Sequence, residues 1–329
     1  MGRGGGVGLV LPRVGAGGVM GNVRSAVILT AYNRPTMIVD AIESVLEQEP
    51  RDWRLYLLDD GSDSTMRQAI NDVLLSDRWP AYELHTIADG ALDAKVHPTT
   101  GGSVVWWQGP QRTMEQRKSC ISYSMLINLA LNYLLADEPY VTYLCDDDYL
   151  LPGSLAARAD YLDANPDVRI VYGRLRSIQF GEDGSYNTWI KMSSPHAGRA
   201  WVPPDGECIL GPDGTNAKYY YRDGHTDPAT GLEYVEAGFW VEGPTIYGQP
   251  GKIDHNQPLI RRSCLAERSW PSHTSGYLEY WCESRDAHVG DAAFFQMLAQ
   301  WPFYGIDHWV VTKRYHAYSD GASDAEVRE

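Results

Sequence analysis

The residues best equipped for chemistry in this sequence are carboxylates that follow short apolar runs. Tyr140-Val-Thr-Tyr-Leu144 leads through Cys145 into Asp146-Asp147-Asp148, and Trp53-Arg-Leu-Tyr-Leu-Leu58 leads into Asp59-Asp60-Gly61-Ser62. A third run, Ser25-Ala-Val-Ile-Leu-Thr30, ends in the polar stretch Ala31-Tyr32-Asn33-Arg34-Pro35. Adjacent carboxylates at the mouth of a buried strand are costly to desolvate unless a cation satisfies them. Hard oxygen donors favour Mg²⁺ or Mn²⁺, which take few carboxylates and leave positions for phosphate oxygens. Two plainer readings stand beside this one. The acidic run suits a solvated helix N-terminus, because Pro152 opens a helical pattern shortly after, and Asp59-Asp60-Gly61-Ser62 alone is also a polar turn.

The elements that must position these groups alternate. Residues 25–30 read as a buried strand, and Met37, Ile38, Ala41, Ile42, Val45 and Leu46 fall on one face of a helix. A second strand covers 53–58, and Thr65 with Gln68 forms a capping box for a helix reaching about Leu75. Strand, helix, strand, helix in this rhythm predicts a parallel sheet with right-handed crossovers. From His85 to Arg112 the pattern is irregular, with Trp106-Trp107 near its end. Then come a long helix at 119–136, a strand at 140–144, a helix from Pro152 to Asn165 and a strand at 168–172. Residues 180–250 are rich in Gly, Pro, Tyr and Asp and show little periodicity, so they read as short hairpins or an insertion. Regular pattern returns as a helix at 291–300 and a strand at 308–313, and no internal repeat is evident. Ligands of open α/β sheets bind beyond the carboxyl ends of the strands, so the three polar clusters are expected to converge on one edge.

The 329 residues, 43% hydrophobic and 22% charged, suffice for a proper core and exclude a disordered or small disulfide-stapled chain. A net charge of −15 makes nucleic acid or an anionic membrane an unexpected partner. The five cysteines are scattered without a Cys-x-x-Cys pair, which fits a reduced, cytoplasmic setting. No apolar run is long enough to span a bilayer, and the glycine-rich residues 1–22 read as a disordered leader.

Taken together, Ile28-Leu-Thr-Ala-Tyr-Asn33, Leu57-Leu-Asp-Asp-Gly-Ser62 and Thr142-Tyr-Leu-Cys-Asp-Asp-Asp148 resemble the signatures of family-2 glycosyltransferases with the GT-A fold. Ile253-Asp-His255, Gly290-Asp-Ala-Ala-Phe-Phe295 and Trp301-Pro-Phe-Tyr304 are similar to later segments of the spore-coat-polysaccharide type of that family. The resemblance implies a mixed, mainly parallel α/β sheet. Its nucleotide-sugar half would lie at 23–172 and its less regular acceptor and catalytic half at 173–329. It implies that Thr30, Ala31, Tyr32 and Asn33 line a nucleotide pocket, that Asp60 meets a uracil or thymine edge and that Arg117 completes the site. Asp146 would contact the ribose. Asp147, with Asp148 and His316, would hold Mn²⁺ or Mg²⁺, and the third acid departs from the related Asp-Asp-Asn form. Asp291 would be the catalytic base, although Asp before Ala292-Ala-Phe-Phe295 is also ordinary N-cap chemistry. Asp254 and His255 would touch acceptor or donor sugar.

The expected activity is metal-dependent, inverting transfer of single sugars from a UDP- or dTDP-sugar to a small-molecule or glycan hydroxyl acceptor. Polymer synthases of the family carry membrane helices and a Gln-x-x-Arg-Trp motif, and neither is seen in this sequence. A sugar-1-phosphate nucleotidyltransferase would open with a glycine-rich phosphate loop, which Thr30-Ala-Tyr-Asn-Arg34 lacks. A non-catalytic sugar-binding module of the same fold is disfavoured by Asp147 and Asp291. Trp106, Trp107 and the aromatics of 218–247 are either sugar-stacking surfaces or core.

Overall fold

The computed structural model describes residues 23–79, 82–88, 91–95, 102–113, 115–116, 122–135, 137–180, 254–267, 270–271, 278–279, 298, 301 and 303–316, with short strand segments between 186 and 245. Its first elements are β1 (Ser25–Ala31), α1 (Met37–Leu46), β2 (Trp53–Asp59) and α2 (Ser64–Leu74). Three strands follow: β3 (Glu83–Ala88), β4 (Ala91–Lys95) and β5 (Ser103–Gln108). Next are α3 (Ser122–Leu129), which widens into a π turn at Ala130–Leu134, β6 (Tyr140–Cys145), β7 (Tyr149–Leu150), α4 (Ser154–Ala164) and β8 (Ile170–Phe180). The chain returns to the same sheet through β9 (Pro258–Arg261) and β10 (Phe303–His316), with α5 (Arg262–Glu267) between them.

The main sheet is mixed and mainly parallel, in the order β10-β8-β9-β6-β1-β2-β5-β3-β4, with a short strand Gly243–Thr245 on the outer side of β10. The strands from β3 to β6 across β1 pair in parallel, and β9 runs antiparallel to both β6 and β8. Two reversals restore the direction, so β8 and β10 point the same way as the parallel core. The carboxyl ends of β1, β2, β6 and β10 therefore lie on one edge, as does the amino end of β9.

Both faces of the central strands are covered, which explains their unbroken apolar character. Val27, Leu29, Leu55, Leu57 and Trp106 pack under Ile38, Ile42, Val45, Met66 and Ile70 of α1 and α2. Ala26, Ile28, Tyr56, Leu58 and Trp107 face Leu126, Ile127, Ala130 and Leu134 on the other side. Trp106 and Trp107 are thus core residues on opposite faces of β5, and neither forms a sugar-stacking surface. The stretch read as irregular before Arg112 is in fact β3, β4 and β5.

The expected capping box is replaced by a simpler cap. Asp63 accepts from the Met66 N–H at 3.0 Å, while Gln68 donates to Asp72 at 2.6 Å. Asp63 has the extended backbone an N-cap needs (φ −69°, ψ 178°).

Candidate active site

The chain leaves β1 on one side to build β2 and returns on the other to build β6. The carboxyl ends of β1 and β6 thus flank the switch point where such sheets open a crevice. Thr30 is in register with Cys145, and Ala31 with Asp59. Adjacent registers place the loop Tyr32–Pro35 between the two acidic clusters.

That loop is held from both sides. The Tyr32 N–H donates to Asp146 Oδ2 at 2.9 Å, and Arg34 Nη1 reaches Asp146 Oδ1 at 2.8 Å and Asp147 Oδ2 at 2.9 Å. Toward β2, the Asn33 N–H donates to Ser62 Oγ at 3.1 Å and Asn33 Oδ1 accepts from the Asp63 N–H at 2.9 Å. Asn33 has φ +46°, a left-handed conformation that asparagine tolerates better than most residues. The Asp60 N–H donates to the Ala31 carbonyl at 2.9 Å.

Asp60 itself is buried and pairs with Arg112, whose Nη2 lies 2.6 Å from Asp60 Oδ2 and 2.6 Å from Ser122 Oγ. Arg112 comes from the loop after β5, the next parallel neighbour of β2. It was not singled out from sequence, because no motif marks the stretch Gln108-Gly-Pro-Gln-Arg112. Recognising β5 as a strand would have brought its following loop to this edge.

The three acids after β6 have different surroundings. Asp146 is buried, and burial pushes its carboxyl up to about 6 against the pull of Arg34 and the Tyr32 N–H. Asp148 is buried deeper in the hydrogen-bonding sense. Its Oδ1 accepts from the Arg314 N–H at 2.8 Å and its Oδ2 from Asn256 Nδ2 at 2.6 Å. Burial, reinforced by Asp147, raises its carboxyl well above the ordinary range. Asp147 has 19% of its side chain exposed, the most open of the three.

Two later segments complete this edge. The turn Asp254–Gln257 precedes β9 and is tied down by Arg158 of α4, which donates to the Gln257 carbonyl at 2.8 Å. Asn256 bridges Asp254, Asp148 and the Cys145 N–H. Burial works against ionisation of Asp254, but Lys313 Nζ and His255 outweigh it and hold the carboxyl well below the usual range. From β10, Arg314 threads between elements, bonding the Asp147 carbonyl, the Met37 carbonyl at 3.0 Å and Asp40 at 2.5 Å. None of Arg34, Asn256, Lys313 and Arg314 was assigned a role from sequence. Their contacts join segments far apart in the chain, which spacing cannot reveal.

The structure therefore brings Thr30, Ala31, Tyr32, Asn33, Asp60, Asp146, Asp147, Asp148, Asp254 and His255 to one sheet edge. His316 is the last residue of β10, two positions beyond Arg314, so its backbone reaches the same edge. Arg117 and Asp291 lie outside the described residues.

The donor set fits a divalent cation. Cys145, Asp147 and Asp148 can each offer one atom within 4.8 Å of the others. Asp148 is committed to Asn256 and Arg314, so Asp147 is the carboxylate best placed to hold an ion that completes its shell with phosphate oxygens, as Mg²⁺ and Mn²⁺ do. The guanidinium of Arg34 already places positive charge against Asp146 and Asp147.

Fold and site define an α/β protein with an acidic edge at the switch point of a mainly parallel sheet. Within that class, residues 26–81 match the model of Glycosyl transferase family 2. Protein CgeD of Bacillus subtilis (strain 168) is 29% identical over 159 residues, 48% of this chain and 31% of CgeD. Among solved structures, S. aureus TarS 1-349 is similar over 88% of this chain and 60% of that one, at 11% identity and a TM-score of 0.45. The mannosyltransferase PcManGT from Pyrobaculum calidifontis, in complex with GDP-Man and Mn2+, is similar over 51% of this chain and 40% of that one, at 19% identity and a TM-score of 0.32. The chain thus spans about a third of the length of CgeD and less than two thirds of these structural neighbours. Among the described residues, no helix is long and apolar enough to cross a membrane.

Proposed function

We propose that this protein transfers a single sugar from a UDP- or dTDP-sugar to a hydroxyl acceptor, with inversion at the anomeric carbon. The observation that carries this reading is the meeting of Asp60, Asp146 and Asp147 around the Tyr32 loop at the β1/β6 switch point. Asp60, oriented by Arg112, is a buried acceptor suited to the imide N–H of uracil or thymine. Tyr32, 39% exposed, offers a ring face at the same sheet edge. Asp146 stands where the ribose hydroxyls would meet an acceptor already positioned by backbone.

Asp147 would hold Mn²⁺ or Mg²⁺, which when bound supplies positive charge against the diphosphate leaving group. Arg34, between Asp146 and Asp147, adds a second positive charge on the same side. The acceptor oxygen forms its bond to the anomeric carbon as the bond to the diphosphate oxygen breaks, and its proton must pass to a base on the opposite face of the sugar. Asp291 is the residue proposed for that step, on its resemblance to the family's base segment. Asp254 and His255 lie on the acid side of the edge, where they would border the sugar.

The test is a thermal-shift and calorimetric panel of nucleotides and nucleotide sugars, with Mn²⁺ or with EDTA. Ligands that bind only the folded state raise its stability by mass action. Stabilisation by UDP or dTDP that is weakened by EDTA and by Asp147→Ala supports the reading. A flat panel at millimolar ligand overturns it.

A further inference from the structure

Arg34 is anchored at its backbone and open at its tip. Its carbonyl accepts from the Met37 and Ile38 N–H groups, each at 3.1 Å, where the chain enters α1. The side chain reaches back across the switch point to the acids after β6. A single nitrogen, Nη1, makes both acidic contacts, to Asp146 Oδ1 at 2.8 Å and to Asp147 Oδ2 at 2.9 Å. Among the described residues Nη2 and Nε make no hydrogen bond, and 43% of the side chain is exposed.

The acids do not need Arg34 to hold their positions. Asp146 is fixed by the Tyr32 N–H at 2.9 Å, and Asp148 by the Arg314 N–H and Asn256. What Arg34 supplies is charge. Neighbouring carboxylates repel one another unless a cation lies between them, and in the bare site the guanidinium is that cation.

Such a contact uses little of what an arginine offers. The guanidinium fork matches the oxygens of a phosphate with two parallel hydrogen bonds, and here one nitrogen is engaged while the rest of the fork faces outward. A dication bound to Asp147 would place like charges on one carboxylate. The guanidinium sits on a flexible stem, so it is the group that can turn away.

We propose that Arg34 is a place-holding cation. It neutralises Asp146 and Asp147 in the bare site, gives them up when a divalent cation binds Asp147, and turns its fork to the diphosphate of the nucleotide. No covalent bond or proton is exchanged in this step. The diphosphate role rests on the sugar-transfer reading above, whereas the exchange with the metal ion does not. The two roles give Arg34 opposite effects on two ligands. It opposes the metal ion and favours the diphosphate, while a merely structural arginine would favour both.

The experiment measures Mn²⁺ and UDP binding separately on the whole chain, in the wild type, Arg34→Met and Arg34→Lys. Without nucleotide, Mn²⁺ binding is read by electron paramagnetic resonance. Arg34→Met should bind Mn²⁺ about fivefold more tightly than wild type, the factor an exposed ion pair is worth. Arg34→Lys keeps a charge between the acids and should stay within about twofold of wild type. In saturating Mn²⁺, calorimetry should show the reverse for UDP, with Arg34→Met about tenfold weaker through loss of charge-assisted hydrogen bonds to phosphate. Uridine, which has no diphosphate, should bind wild type and Arg34→Met alike. Arg34→Gln replaces the methionine variant if circular dichroism shows the latter misfolded. The proposal is overturned if Arg34→Met binds Mn²⁺ no more tightly than wild type, if its UDP affinity in Mn²⁺ is unchanged, or if uridine loses as much as UDP. A wild type that binds Mn²⁺ but no UDP overturns the sugar-transfer reading and the diphosphate role with it, and the Mn²⁺ comparison still decides the exchange.

Discussion

The Tyr32 N–H donates to Asp146 Oδ2 at 2.9 Å, across the gap between β1 and β6. One hydrogen bond thereby closes the switch point of the sheet, joining residues 114 positions apart. It also fixes which way the first acid faces. Asp146 turns toward the β1 loop, Asp148 turns the other way toward Asn256 and Arg314, and Asp147 is left between them as the most open carboxylate. Consecutive residues of one acidic run thus acquire separate duties from separate neighbours.

Arg34 completes that arrangement by spanning Asp146 and Asp147. Its replacement in Arg34→Met leaves two close carboxylates with less compensation. The expected outcome is a melting temperature about 1–2 °C below wild type without metal, corresponding to roughly 1 kcal/mol in a chain of this size. Saturating Mn²⁺ should narrow the gap, since a cation at Asp147 supplies the missing charge. Differential scanning fluorimetry in EDTA and in Mn²⁺ checks this, and an equal gap in both conditions contradicts it.

The buried pair of Arg112 and Asp60 makes a different prediction, about both stability and nucleotide. Arg112→Ala leaves a buried carboxylate without this partner, which costs about 3–5 kcal/mol when such a pair is broken from one side. UDP and dTDP affinity should fall at least tenfold in the folded fraction, because Asp60 is no longer held. Urea denaturation and calorimetry give the two numbers. Running Arg117→Ala in parallel weighs the residue chosen from sequence against the one the structure pairs with Asp60.

How far the sequence could be read depended on whether a signal was local. β1, α1, β2 and their polar ends were legible because strands buried on both faces show as unbroken apolar runs and α1 keeps one apolar stripe. β5 was missed although Val104, Val105, Trp106 and Trp107 are strong strand formers. Gly102 and Gly109 around them resemble loop punctuation, yet they are close-packing positions. A Cβ at Gly102 would meet the Trp53 ring, and one at Gly109 the Trp107 ring and the Asp59 carbonyl. The acids of the site were legible from their types and spacing. Arg112, Asn256 and Arg314 were not, because what makes them part of the site is sheet order, which brings together residues 52 to 166 positions apart.

Gly61 tests how rigidly the β2 end is built. It has φ +69°, and a Cβ there would run into the backbone of Pro110 and Gln111 in the loop that carries Arg112. Backbone on both sides cannot yield as a flexible side chain could. Gly61→Ala should therefore destabilise by about 2–3 kcal/mol, combining the left-handed backbone cost with the overlap. It should also weaken UDP binding by displacing Asp60 relative to Arg112. Stability near wild type in chemical denaturation would refute the close approach.

Lys313 and Asp254 give a prediction with a pH signature. The carboxyl of Asp254 is held well below its ordinary range; burial opposes this and the Lys313 ammonium, salt-bridged to Oδ2, is the largest favourable cause. An acid whose folded pKa is depressed contributes stability above its unfolded value near 3.9, and that contribution is lost as pH falls through the folded value. Lys313→Met removes the partner, so a buried carboxylate must either ionise without it or take up a proton. The variant should lose about 2–4 kcal/mol at pH 7 relative to wild type, somewhat less than one-sided loss of a fully buried ion pair because the Lys313 side chain is a quarter exposed. Toward pH 4 the difference should shrink, because protonation of Asp254 in the variant relieves the uncompensated charge while the wild-type carboxylate still gains from its lysine until lower pH. Urea unfolding of both proteins at pH 7 and pH 4 measures the two differences, and a gap that is constant or widens on acidification would assign the loss to packing of the Lys313 stem.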